Sequence, residues 1–286
     1  MRGARPRAAL ETLVAERVAA RRDDVLVAAV SGGSDSVALA SLLARCARRA
    51  GATLALAHVN HGLRGRAWQD EAVVLALGTT LGIRAIARSL PPGRAAEARL
   101  RDERYATLAA IARELGARRV FTAHHAEDQT ESVLLALFRG TGPDGLLGMA
   151  STRPLADGIV LERPLLGIEP AALRAYCGYQ RLAYAVDGSN DDLAYRRNAV
   201  RSALVALRVS FPHLDAAVAR CAQILRAERE ETPRAALRQR LRLEVRAVTG
   251  DARDVSFERL DAAARALEEE TPGRHFLRRG VEAIIE

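Results

Sequence analysis

Ser31, Gly32, Gly33, Ser34, Asp35 and Ser36 stand in succession, and each residue type suits a loop wrapped around phosphate. Glycine lets the backbone curl against phosphate oxygens with no Cβ in the way. Three hydroxyls add donors, and the Asp35 carboxylate can hold a magnesium ion between phosphates. Serine and aspartate are also ordinary helix N-caps, so a plain capping turn is the competing reading. Against it, such a pattern arises by chance about once per million positions at average composition. The sequence has no lysine, and its 43 basic residues are all arginine. A Gly-Lys-Ser/Thr phosphate loop is therefore excluded. Phosphate must be held by backbone amides, hydroxyls, arginine or metal.

Four other clusters carry chemistry. His58, Asn60 and His61 close a strand-like run, where they serve either as contacts to a bound nucleoside or as hydrogen-bonded structural residues. Asp128 and Glu131 lie one turn apart at the start of a helix, so they share a face. That face is expected to look into the crevice holding residues 31–36; otherwise the two acids only complement the helix dipole. His124 and His125 are read as ending a strand, which sends them to opposite faces. One of them, taken as His125, would contact nucleotide or RNA, a stronger reading than a transition-metal site. Arg197 and Arg201, four apart on one helical face, suit bidentate contact to phosphate or, more blandly, form a solvated face.

These residues need elements to position them. Val25–Val30 is a Val-rich apolar run bounded by charge and glycine, the pattern of a buried parallel strand. The apolar spacing predicts helices over 7–22, 36–50, 69–81, 97–115 and 127–138, and strands over 54–59, 84–90 and 120–123. Strands alternating with helices imply βαβ units. The expected fold is therefore α/β, a doubly wound, mostly parallel Rossmann-like sheet with a small, mainly helical C-terminal domain. Ligands of such sheets bind at the carboxyl ends of the strands. Residues 139–150 are glycine-rich and read as a functional or mobile loop. Helices are expected over 169–178 and 191–208, and beyond Phe211 the composition shifts to long helices dense in Arg and Glu. A boundary near 209–214 gives a catalytic domain 1–213 and a helical accessory domain 214–286.

The net charge of +8 and the pI of about 10.3 suit a polyanionic partner, although the exclusive use of arginine looks like codon bias and weakens that argument. Cys46, Cys177 and Cys221 are scattered, which speaks against a disulfide framework or a thiolate metal site; buried inert thiols are expected. No apolar run approaches the roughly 18–20 residues that span a bilayer. The basic N-terminus lacks the apolar core of a signal peptide, so no membrane and a cytoplasmic location are expected.

The loop at residues 31–36 resembles the SGGxDS loop of the PP-loop, or N-type, ATP pyrophosphatases. That group cleaves ATP between the α- and β-phosphates and adenylates a substrate oxygen. Within it, the stretches 58–64, 122–132 leading to 137–142, 163–166 and 187–201 resemble, in the same order, segments of the lysidine synthases. The resemblance covers roughly residues 25–210 and is faint beyond, as in a short family form without a large terminal RNA-binding domain. It implies ATP and Mg2+ as cofactors, and free L-lysine and tRNA(Ile) with a CAU anticodon as partners; a homodimer is left open. The implied reaction joins lysine to C2 of the wobble cytidine through an adenylated cytidine, releasing AMP and pyrophosphate. By the same resemblance Ser31, Gly32, Gly33, Ser34, Asp35, Ser36, His58, Asn60 and His61 bind the nucleotide, and Asp35 also holds the metal. Asp35, Asp128, Glu131 and Arg197 are catalytic, Asp128 and Glu131 handling the lysine amine or metal. His125, Arg197 and Arg201 bind substrate, and residues 214–286 help to position the tRNA. Glu127 and Ser132 depart from the family's usual Asp and Thr. A tRNA thiolase would require a cysteine pair near the site, and a non-catalytic binding module would predict erosion of Asp35, Asp128 or Glu131.

Overall fold

The computed structural model describes residues 4–60, 67–90, 97–185, 196–229, 232–250 and 255–285. Helix α1 (Ala4–Val18) precedes β1 (Val25–Ala29), α2 (Ser34–Ala50), β2 (Thr53–Asn60), α3 (Ala67–Leu81), β3 (Arg84–Ser89), α4 (Glu97–Glu114), β4 (Arg119–Phe121) and α5 (Ala126–Leu137). The short α6 (Pro143–Leu146) is followed by β5 (Thr152–Ala156), β6 (Ile159–Glu162), α7 (Pro170–Gln180) and α8 (Arg196–Ser210). The chain closes with α9 (Leu214–Arg229), α10 (Pro233–Thr249), α11 (Phe257–Glu268), β7 (Gly273–Arg278) and β8 (Val281–Ile285).

Six strands form one sheet in the order β3-β2-β1-β4-β6-β5, parallel throughout except for β5, which runs antiparallel to β6 at the edge. This is the doubly wound α/β sheet expected from the alternating pattern. The central strand is buried on both faces. Leu26 and Ala28 of β1 pack in one layer with α1, α2 and α7, while Val27 enters the other with Leu108 and Ile111 of α4. Leu26, Leu39 and Leu56 are wholly inaccessible, so truncating any of them to alanine costs about 2–5 kcal/mol. Gly51, with φ 72°, ends α2 in the left-handed conformation and returns its amide to the Ala47 carbonyl.

Several elements differ from the expected ones. β4 stops at Phe121, so His124 and His125 lie in the loop before α5 rather than on a strand. β5 and β6 were not anticipated: Pro154 and a register shift between Pro154 and Ala156 break the strand pattern of β5, which a sheet tolerates only at an edge. Of the helix expected over 191–208, residues 191–195 lie outside the described residues.

The chain divides into two compact units. The first comprises Met1–Leu135 and Gly148–Ala216, and the second Ala136–Leu147 and Ala217–Glu286. In the second, α10, α11 and an antiparallel β7-β8 hairpin enclose Leu241, Val245, Leu260, Ala263 and Leu277. Thr232 and Ser256 cap α10 and α11 by accepting from Ala235 N and Arg259 N. The buried Arg238 is held by Asp261 (2.6 Å), Glu228 (3.3 Å) and the Ala227 carbonyl. Also within this unit, Arg226 donates to the Leu147 carbonyl and Arg229 pairs with Asp144, tying residues 136–147 to α9.

Candidate nucleotide and substrate site

The loop from β1 to α2 is held open by its own side chains. Ser36 Oγ donates to the Gly33 carbonyl (2.9 Å) and accepts from Ser31 N (3.1 Å). Its single proton is thereby committed, so Ser31 Oγ, 3.1 Å away, is the donor between the two hydroxyls. Ser36 thus shapes the loop from within, and Ser34 Oγ lies against Asp35 (3.3 Å). Gly33 is the N-cap of α2 and no side chain caps it. The first amides of a 17-residue helix therefore face outward at its positive end, a ready cradle for phosphate. Gly32 has φ 99°, and a Cβ there would stand 3.3 Å from the Asp70 carbonyl oxygen in the first turn of α3. Both conformation and space require glycine. Behind the loop, Ala185 N donates to the Gly32 carbonyl (2.9 Å) and the Cys177 thiol to the Ser34 carbonyl (3.3 Å). Burial first, and then the Asp35 charge, raises the Cys177 pKa to about 11, so this thiol stays a donor. The sequence reading had no signal for these two braces.

One imidazole joins the loop to α5. His125 Nε2 lies 3.5 Å from Asp35 Oδ2 and 3.3 Å from Asp128 Oδ2, and the His125 backbone amide donates to that same Asp128 oxygen (3.0 Å). Burial opposes protonation of His125, but the hydrogen bond to Asp35 and the charges of Asp128, Asp35 and Glu127 outweigh it and raise its pKa. Burial likewise works to raise the Asp128 pKa, yet His125, Arg197 and His124 together hold it below the usual carboxylate range. His124 takes a different environment. Its Nδ1 meets Thr122 Oγ1 at 2.9 Å, and burial, with Arg163, Arg104 and Arg197 set against the pull of Asp128, drives its pKa down to about 3.

Glu131 is completely buried and needs compensation. Arg197 Nε and Arg201 Nε each bond it at 2.7 Å, and Arg201 Nη2 adds a third contact at 3.2 Å. Arg197 Nη2 also reaches Asp128 at 2.8 Å. Asp35, Asp128, Glu131, His125, Arg197 and Arg201 therefore form one alternating cluster. The two arginines expected on phosphate hold carboxylates here. Glu127 turns away from them: its carboxylate pairs with Arg208 (3.3 Å), which forks onto Asp215 (2.8 and 3.0 Å).

Buried His58 gives Nδ1 to contact with the Val30 carbonyl (2.8 Å), clipping β2 to the end of β1. Asn60 ends β2 half-buried. His61 lies outside the described residues. Gln129, not singled out from sequence, accepts from Met149 N (2.8 Å) and closes over Gly148, where a Cβ would meet it at 2.5 Å.

The donor set fits magnesium bound chiefly through nucleotide. Magnesium keeps water and phosphate oxygens and takes one or two protein carboxylates, and Asp35 is the partly exposed carboxylate beside the helix amides. Among the described residues no three His, Cys, Asp or Glu side chains could hold a metal ion by themselves, and no helix is long and apolar enough to cross a membrane.

The chain is similar in sequence and in fold to known proteins. The chain is 44% identical over 212 residues to a tRNA(Ile)-lysidine synthase of Bordetella bronchiseptica, a match covering 69% of this chain and 60% of the relative. It is 41% identical over 210 residues to that of Gloeobacter violaceus, covering 72% and 64%. The chain thus spans about three fifths of the length of these curated relatives. The U34-tRNA thiolase NcsA of Methanococcus maripaludis has the same fold, with a TM-score of 0.65 at 16% identity over 76% of this chain and 78% of that one. The model of the PP-loop domain family matches residues 6–208. That match takes in the uncapped glycine loop, the α5 acids and the α8 arginines, and the chain belongs to the PP-loop domain family.

Proposed function

We propose that the chain is a ligase that uses ATP to activate the C2 oxygen of the wobble cytidine in a CAU-anticodon isoleucine tRNA. Free L-lysine then takes that oxygen's place through a carbon–nitrogen bond, and AMP and pyrophosphate leave. One observation carries the reading: Asp35 of the loop Ser31–Ser36 and Asp128 of α5 meet at His125. Nucleotide phosphates on the α2 amides and an amine on Asp128 and Glu131 would therefore be neighbours. The name shared by the curated relatives, tRNA(Ile)-lysidine synthase, supplies the substrate class.

A carbonyl oxygen is a poor leaving group, and adenylation converts it to one that departs with AMP. The α2 amides would hold the phosphates, and Asp35 the magnesium ion that neutralises their charge. Asp128 is held ionised, and Glu131 presents its carboxylate in a dry setting where charge interactions are strong. An arriving lysine ammonium would compete with Arg197 and Arg201 for those oxygens. Arg197, one-third exposed and hydrogen-bonded to both acids, at 2.8 Å to Asp128 where Arg201 stands 3.9 Å off, would shift onto substrate as it yields them.

Purified protein given ATP, magnesium, lysine and an unmodified CAU isoleucine tRNA should form AMP and pyrophosphate in equal amounts, with formation depending on the tRNA. ADP and inorganic phosphate as products would contradict the proposal.

A further inference from the structure

Two guanidiniums lie over one phenol in the first unit, with a third arginine close by in the chain. The Arg153 guanidinium carbon of β5 lies 4.6 Å from the ring centroid of Tyr105, and that of Arg104 on α4 lies 5.2 Å from it, both within cation–π range. Arg163, just beyond β6, is 6% exposed and donates to the Ala150 carbonyl at 2.7 Å. Burial works to raise the Tyr105 pKa, yet the charges of Arg104 and Arg163 and hydrogen bonds from Arg153 and Arg104 bring it below its ordinary value. Among the described residues no carboxylate is paired with Arg104 or Arg153, and Arg104 Nε is buried without an acceptor. By contrast, Arg119, Arg208 and Arg238 are each matched to acids. The positive charge of Arg104 and Arg153, with no paired carboxylate among the described residues, is an attractive place for an arriving anion.

The cluster stands on the working edge of the sheet. Phe121 of β4 is in parallel register with Glu162 of β6, so the loop carrying His124 and the turn carrying Arg163 leave the sheet at the same carboxyl end. β1 with its phosphate-type loop is the neighbour of β4 on the other side. Arg104 and Arg163 both act on His124. A nucleotide seated at the α2 amides would have its phosphates two strands away. A nucleic acid presenting a base between them would run its backbone across the β4 and β6 ends.

We propose that Arg104 and Arg153, stacked on Tyr105 beside His124, form an anion subsite that takes a backbone phosphodiester of the RNA flanking the activated base. The subsite rests on the RNA reading of the function given above. Guanidinium suits it because its fork meets two phosphate oxygens while its flat face stays on the ring.

The test is the full chain binding an isoleucine tRNA anticodon stem–loop RNA across a salt series, with ATP binding measured in parallel. Arg153→Ala should weaken RNA binding five- to thirty-fold. It should flatten the log–log salt slope by about one contact's worth, roughly 0.7–0.9, and leave ATP affinity within twofold. Arg104→Gln should do the same, and Arg153→Lys should restore the slope but not the full affinity. Circular dichroism identifies any variant that fails to fold, and the slope of the remaining variant then decides. RNA binding unchanged within twofold in folded variants would overturn the subsite while leaving the RNA reading intact. Loss of ATP affinity in step would reassign the cluster to nucleotide phosphate. A wild-type chain that binds the RNA without salt dependence would overturn both.

Discussion

At the scale of single residues the site depends on a few atoms with no substitutes. Asp35 is the carboxylate beside the uncapped α2 amides, and on the proposed mechanism it holds magnesium on the phosphates. Asp35→Asn keeps the shape and removes the charge, so AMP formation should fall well beyond tenfold with the fold unchanged. A variant retaining more than about a tenth of the wild-type rate, a loss under about 1.4 kcal/mol, would exclude that role. Gly32→Ala would force a left-handed φ of 99° on a residue with a Cβ and press it against Asp70. Left-handed strain alone is about 1–2 kcal/mol, so the melting temperature should drop, and ATP affinity should drop with it because the strain sits in the loop. A melting temperature equal to the wild type's would show that the loop relaxes freely. Arg201→Ala should destabilise the chain by about 1–3 kcal/mol, because it strips two contacts from an inaccessible carboxylate. Denaturant unfolding reads that loss, and an unchanged midpoint would mean that Arg197 alone satisfies Glu131.

At the scale of elements, what was legible in the sequence is what local rules dictate. β1 announces itself because a strand buried on both faces must be apolar throughout, and the loop after it because each residue type there has one strong conformational or chemical use. The shared face of Asp128 and Glu131 follows from helical spacing, and the structure brings it to Asp35 through His125. The pairing of Arg197 and Arg201 with those acids was not legible. Helical spacing shows that two arginines share a face, but not that the face lies on a buried glutamate some 70 positions earlier. β5 was hidden by Pro154, and the β7-β8 hairpin by Phe276 and Ile284, apolar residues on its exposed face that blur the alternation. The connection from α8 to α9 has its own electrostatic lock. Burial works to raise the Asp215 pKa, but the Arg208 fork and the Thr130 hydroxyl hold it below the usual carboxylate range. A lowered acid pKa contributes stability above the unfolded value, and that stability is lost as pH falls through the folded one. Asp215→Asn should therefore destabilise the chain at neutral pH and flatten the decline of stability below about pH 4. An acid limb identical to the wild type's would place the stabilising charge elsewhere.

At the scale of the whole molecule, a chain of net charge +8 with 43 arginines and no lysine will adhere to any RNA to some degree. Affinity alone therefore says little about function, because phosphate contacts carry no sequence information. The account requires discrimination at the chemical step, where the base must be the wobble cytidine and the amine must be lysine. The most direct measurement is incorporation of labelled lysine, in the presence of ATP and magnesium, into two tRNAs differing in anticodon. The account predicts ATP-dependent label in the CAU isoleucine tRNA and essentially none in the other. Equal labelling of both, or of neither while ATP is consumed on some other acceptor, would contradict it.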